Sequence, residues 1–168
     1  MQLPEMMYQN IAENSKILIQ GPFLEQSQRC EPVLRSLSEW FGLEDANQHY
    51  LESIDNMPTF LALNEDEVVG FLTVFQHYPT AAEIYVTGVA SQYHRHGLGR
   101  AMLNAAEEYL RDLGVQFLQV KTLSASHPDE GYAKTRAFYR AVGFHPLEEF
   151  KTLWGEANPC LLLIKILQ

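Results

Sequence analysis

The chain has 168 residues, 46% of them hydrophobic and 20% charged, with a formal net charge of −9. That length predicts one domain over residues 1–168, with a core large enough to fold without disulfides. Its 21 acidic residues against 12 basic ones argue against nucleic acid as a partner, because phosphate binding requires a basic face.

Residues 16–20 (KILIQ) form a short strand candidate. Val33, Leu34, Leu37, Trp40 and Phe41 then recur on one helical face that Gly42 stops. A shorter helix is predicted over 45–54. Three strand-like runs follow, at 59–63, 68–76 and 83–89. The NEDE segment at 64–67 turns the first into the second, and Tyr78-Pro79-Thr80 leads to the third. Met102, Leu103, Ala106, Tyr109, Leu110 and Leu113 line one face of the next helix, and Gly114 occupies its C-cap. Residues 115–123 read as a strand, 124–131 as a loop, and 132–142 as a helix ending at Gly143. Strands near 144–154 and 160–167 close the chain, separated by the turn-rich GEANP. The order β-α-α-β-β-β-α-β-α-β-β predicts a mixed α/β domain, with a right-handed β-α-β crossover over 83–123 that makes two strands parallel.

Cys30 and Cys160 stand alone in the sequence and read as buried thiols of a reducing compartment. The N-terminal residues lack a basic segment followed by an apolar one, and no apolar run approaches the ~18 residues needed to span a bilayer. The expectation is a cytoplasmic protein without a membrane partner. The six histidines show no metal-ligand spacing. His94-x-His96 falls inside a glycine-containing loop, so no metal is expected.

That loop, YHRHGLGRA at 93–101, carries the chemistry. A strand ends on Val86-Thr87-Gly88-Val89, and Gly97-Leu98-Gly99 opens a helix. Two glycines at i and i+2 let backbone approach a ligand, and a helix N-terminus offers free N–H groups and a dipole that favour an anion. Alone, the motif is more often an empty turn. The Rossmann fingerprint fails because Met102 stands where its third glycine belongs, and no Gly-Lys-Ser/Thr completes a P-loop.

In combination, Thr87-Gly88-Val89, His94-Arg95-His96-Gly97-Leu98-Gly99 and the downstream RAFYRAVGF at 136–144 resemble the GNAT superfamily of N-acetyltransferases. The resemblance implies a mixed, largely antiparallel sheet with a central parallel pair, helices on both faces, and an opening for a pantetheine arm. It implies acetyl-CoA as co-substrate, held by Thr87, Gly88, Val89 and residues His94 to Arg100, with Arg95, His96 and Arg100 adding charge. His94 stands where the family carries Gln or Arg. A backbone N–H near Val89 would polarise the thioester, and Tyr139 would protonate the departing CoA thiolate. A phenol near pKa ~10 suits a thiol near ~8.5. Glu83, at the start of the central strand, would deprotonate the incoming amine directly or through water. His127, in the loop before the 132–142 helix on the acceptor side, is a second candidate for that base, and His77 and His145 read as structural or exposed. Tyr132 takes the place of a frequent family Asn, while Trp154 and Asn158 could line the acceptor pocket. The implied acceptor is a small-molecule or peptide amine. The net negative charge leans towards a cation, and an exposed terminal strand could pair in a homodimer. A non-catalytic acyl-CoA-binding module is the rival reading.

Overall fold

The computed structural model describes residues 16–168 and, as backbone alone, residues 10–11. Eight strands and four helices follow in the order β1 (Asn10–Ile11), β2 (Ile17–Phe23), α1 (Ser27–Ser36), α2 (Glu44–Asn56), β3 (Thr59–Asn64), β4 (Glu67–Tyr78), β5 (Ala81–Val89), α3 (Leu98–Asp112), β6 (Phe117–Leu123), α4 (Glu130–Ala141), β7 (His145–Phe150) and β8 (Cys160–Ile166). The strands form one sheet, ordered β1-β2-β3-β4-β5-β6-β8-β7. Every neighbouring pair is antiparallel except β5 and β6. The mixed sheet with one parallel pair matches the expected fold class.

Each face of the sheet has its own core. On one, α3 contributes Met102, Leu103, Ala106 and Leu110 against Phe60, Leu72, Ile84 and Leu118, and α4 adds Tyr139 and Val142. On the other, α1 and α2 bring Cys30, Leu34, Leu51 and Ile54 onto Leu61, Phe71 and Val86. Burial pushes the Cys30 thiol up to about 12 and the Cys160 thiol up to about 11, so both stay protonated and inert.

Ile84 and Val86 sit two apart on β5 and yet belong to opposite cores. The cause is a bulge: Thr73 pairs with Val86 and Val74 with Ile84, leaving Tyr85 as an extra residue. A bulge shifts the alternation by one and re-aims the side chains beyond it.

Several boundaries differ from expectation. The first helix ends at Ser36, before Leu37, although its apolar spacing continues to Phe41. Trp40 and Phe41 remain in helical spacing because their N–H groups both donate to the Leu37 carbonyl, but this is a turn. The helix begins where Asp55, from the end of α2, accepts both the Ser27 N–H (2.8 Å) and its hydroxyl (2.7 Å). α4 starts two residues earlier than predicted because Asp129 caps it, accepting the Tyr132 N–H at 2.9 Å. β7 stops at Phe150, so Trp154 lies in a turn and not on a strand. No helix of the described residues is long and apolar enough to cross a membrane.

Candidate active site

The parallel strands part company. β5 and β6 pair only from Ala81 with Phe117 to Ile84 with Val120, although β5 runs on to Val89 and β6 to Leu123. The Ala90 N–H donates to the Val69 carbonyl (2.9 Å), which makes Gly70 and Val89 a non-hydrogen-bonded pair of the β4–β5 ladder. In such a pair the backbone groups face away from the partner strand. Val89, and by alternation Thr87, therefore turn N–H and C=O into the split. Across it, the Ser124 N–H bonds the Pro159 carbonyl, and Leu123 faces the split by the same logic.

A cleft of about 650 Å³ fills this split. At one end stands the glycine loop. Arg95 and Gly97 both take the left-handed conformation (φ 63° and 77°), which turns the chain sharply into α3. The Ala101 N–H reaches the Gly97 carbonyl (3.0 Å), so the N–H groups of Leu98, Gly99 and Arg100 are left without helical partners. α3 has no side-chain cap and no acidic residue in its first turn, while Arg95 and Arg100 line the cleft beside it. A free helix N-terminus beside two arginines is electrostatically favourable to an anion.

His94 has a specific task. Its Nε2–H donates to the Val89 carbonyl at 2.6 Å, and its ring meets Trp40 edge-on with centroids 6.1 Å apart. The ring thus ties the loop back to the strand end and takes one of the split's free acceptors. Gly99 is needed for packing, because a Cβ there would lie 3.2 Å from the Phe138 ring. Gly88 is similar: a Cβ would come within 2.9 Å of Leu37. The Thr87 hydroxyl donates to the Phe71 carbonyl (2.8 Å), which leaves only its backbone for a ligand.

Tyr139 lies between Phe138 and Phe144, with ring centroids 5.4 and 5.5 Å away. Its ring is buried but it lines the cleft, and no described residue hydrogen-bonds its hydroxyl. Burial pushes its phenol well above the ordinary value, and the neighbouring Tyr132 phenol adds to this. Thr122, also buried and lining the cleft, has an Oγ1 without a partner. Arg136 on α4 is buried too, and its Nη1 donates to the Leu123 carbonyl at 2.7 Å, holding α4 to the β6 side of the split.

At the other end, Glu83 is 6% exposed and its carboxylate is fully engaged. It accepts from Lys121 Nζ (2.8 Å), His77 Nε2 (2.6 Å) and Gln119 Nε2 (3.2 Å). Burial raises its carboxyl, but hydrogen bonds from Lys121 and His77 and the Lys121 charge outweigh it and hold the group below the ordinary glutamate value. A carboxylate so held is a poor direct proton acceptor. His77, read as structural or exposed, is an exposed residue whose ring meets this carboxylate. The local sequence holds no sign of this, since Lys121 is 38 residues from Glu83 and meets it only through the β5–β6 pairing.

Tyr132 and Trp154 line the cleft as expected, and the Tyr132 hydroxyl donates to the Trp40 carbonyl (3.3 Å). Three other candidates lie elsewhere. His96 is absent from the cleft wall because the left-handed turn at Arg95 carries it outward. His127 borders a separate surface hollow with Ser126, Pro128 and Glu149. Asn158 belongs to the turn before β8, where its N–H donates to the Gly155 carbonyl (3.1 Å).

Comparison with known proteins agrees with this geometry. A model of the acetyltransferase (GNAT) family matches residues 23–144. Mycothiol acetyltransferase of Corynebacterium glutamicum is 32% identical over 79 residues, covering 47% of this chain and 25% of that protein. The chain thus spans about a quarter of that relative's length. Among solved structures, a GNAT-family protein of Desulfovibrio desulfuricans superposes with a TM-score of 0.79 at 19% identity, covering 90% of this chain and 99% of its own. A GNAT-family acetyltransferase of Elizabethkingia anophelis with acetyl-CoA bound superposes with a TM-score of 0.70 at 17% identity, covering 92% of this chain and all of its own. With more than half of its length matched to the family model, this chain belongs to the GNAT family of acetyltransferases.

Proposed function

We infer that the chain transfers the acetyl group of acetyl-CoA to a primary amine by direct attack, with both substrates bound in the cleft. The observation that carries this is the β5–β6 split. Its unpaired backbone edge lies between an uncapped helix N-terminus flanked by arginines and a phenol with no partner among the described residues.

The residues fit the donor. The N–H groups of Leu98, Gly99 and Arg100, with Arg95 and Arg100, suit a pyrophosphate, and Gly97 leaves open space where a Cβ would stand. The backbone of Thr87 and Val89 suits an extended amide-bearing arm, which would pair along β5 as a strand does. Acetyl-CoA supplies an activated thioester carbon.

The reaction forms a C–N bond at that carbon and breaks its C–S bond, whose electron pair leaves on sulfur. An acceptor arriving as an ammonium loses two protons in all, one to the thiol and one to solvent. A backbone N–H of the split edge near Val89 stabilises the charge that grows on the acetyl oxygen. Tyr139 donates the proton that the thiolate takes. Glu83 takes part on the acceptor side by orienting a water or the His77 imidazole, because three donors already occupy its oxygens. Holding amine and thioester together supplies much of the acceleration.

The test is a primary-amine library incubated with acetyl-CoA, read by free thiol and by product mass. Amine-dependent thiol release is expected. If acetyl-CoA binds in calorimetry but no amine produces thiol, the chain is a non-catalytic acyl-CoA-binding module and the proposal fails.

A further inference from the structure

Charge and ring content along the cleft point to a substrate class. Among the described residues lining the cleft, Glu83 is the single carboxylate, against Arg95, Arg100, Lys121 and Lys134. That carboxylate already accepts hydrogen bonds from Lys121, His77 and Gln119. The acidity of the chain as a whole therefore does not extend into the cleft. A polyamine or an aminoglycoside carries several ammonium groups, each needing a partner once it leaves water, and a single carboxylate that already has three donors cannot serve them all.

What the cleft does offer is aromatic. Trp40, Tyr50, Tyr85, Tyr132 and Trp154 all contribute to its wall. Several are fixed by contacts with neighbouring side chains and backbone. The Tyr85 hydroxyl is bonded to His49 Nε2 at 2.7 Å, and its ring meets Tyr50 edge-on with centroids 6.3 Å apart. Tyr50 in turn packs edge-on against Phe41 at 5.6 Å, and Tyr132 is tied to the Trp40 carbonyl. Rings held in this way present preformed surfaces to a planar apolar body. They also accept one ammonium over their faces without a counter-carboxylate.

We propose that the acceptor is a primary monoamine carried on an aromatic body, and that Tyr85 and Trp154 contribute to selecting it. This rests on the acetyl-transfer reading above. The transfer step is unchanged: the single amine nitrogen bonds the acetyl carbon, the thiolate leaves, and the two protons go to thiol and solvent.

The experiment measures kcat/KM by thiol release for 2-phenylethylamine, n-hexylamine, spermidine and a hexapeptide with a free N-terminus, each with acetyl-CoA. The aryl amine is expected to exceed the alkyl amine by about three- to tenfold, the scale of a ring–ring contact, and to exceed spermidine and the peptide by more. Tyr85→Ala should remove the advantage of the aryl amine over hexylamine, and Tyr85→Phe should keep it. Trp154, 43% exposed on a turn, gives a second variant, Trp154→Ala, that removes a ring without opening the core. Preference for spermidine or the peptide, or equal rates for the aryl and alkyl amines, would each overturn the assignment. No turnover of any amine, whether or not acetyl-CoA binds in calorimetry, would instead defeat the acetyl-transfer reading beneath it.

Discussion

Replacing Tyr139 with phenylalanine separates chemistry from packing. The hydroxyl has no partner among the described residues, so removing it breaks no protein hydrogen bond and leaves no group unsatisfied. The ring keeps its contacts with Phe138 and Phe144. Stability should therefore stay within about 0.5 kcal/mol of wild type, a change in Tm of about 2 °C or less for a chain of this size. Turnover should behave differently, because losing a positioned general acid costs about 10²-fold or more in rate, or about 3 kcal/mol of barrier. Tyr139→Ala supplies the contrast. It removes a buried ring and should cost about 3–5 kcal/mol, lowering Tm by about 10 °C. The assay pairs thiol release at saturating acetyl-CoA with a thermal melt, and acetyl-CoA affinity is measured by calorimetry. A Tyr139→Phe enzyme with wild-type kcat, folded and binding acetyl-CoA, would take Tyr139 out of the mechanism.

Other substitutions probe the remaining parts. His94→Ala removes the hydrogen bond to the Val89 carbonyl, and calorimetry should show acetyl-CoA binding weakened by about two- to tenfold; unchanged affinity would mean the ring does not shape the loop. Gly97→Val puts a β-branched residue at φ 77° and should raise the KM for acetyl-CoA more than Gly97→Asn, since Asn tolerates the left-handed region and Val does not. The opposite ranking would place the effect in side-chain volume and not in backbone strain. Glu83 has a folded-state pKa below its ordinary 4.5, so its contribution to stability is present above that value and is lost as pH falls through the lowered one. Melts from pH 6 down to about 2 should show this acid loss in wild type and a smaller one in Glu83→Gln; identical slopes would contradict the ion pair.

Local pattern carried much of the architecture. The helix after the glycine loop, its stop at Gly114 and the turn at 78–80 follow from spacing and turn chemistry, and the structure places them as expected. The glycine loop and Tyr139 are legible because short segments encode them. Missed features depend on residues far apart in the chain. The Asp55 cap on α1 joins residues 28 apart. The His77, Gln119 and Lys121 shell around Glu83 exists only through sheet pairing. Trp40 and Phe41 keep helical spacing without a helix, so periodicity alone overextends α1. The single-residue bulge at Tyr85 is invisible to an alternation pattern, because it reverses the pattern midway along one strand.

The divergence of β5 from β6 also bears on self-association. An unpaired strand edge invites another chain to add itself and begin an aggregate, and proteins generally guard such edges. Here the open edge lies in the middle of the sheet. α4 spans it, with the Tyr132 hydroxyl on the Trp40 carbonyl at one end and Phe138 against Gly99 at the other. A foreign β-strand arriving sideways meets that helix first, whereas a thin flexible chain threaded lengthwise can still reach the free amides. A helix so placed shields the open edge from strand addition.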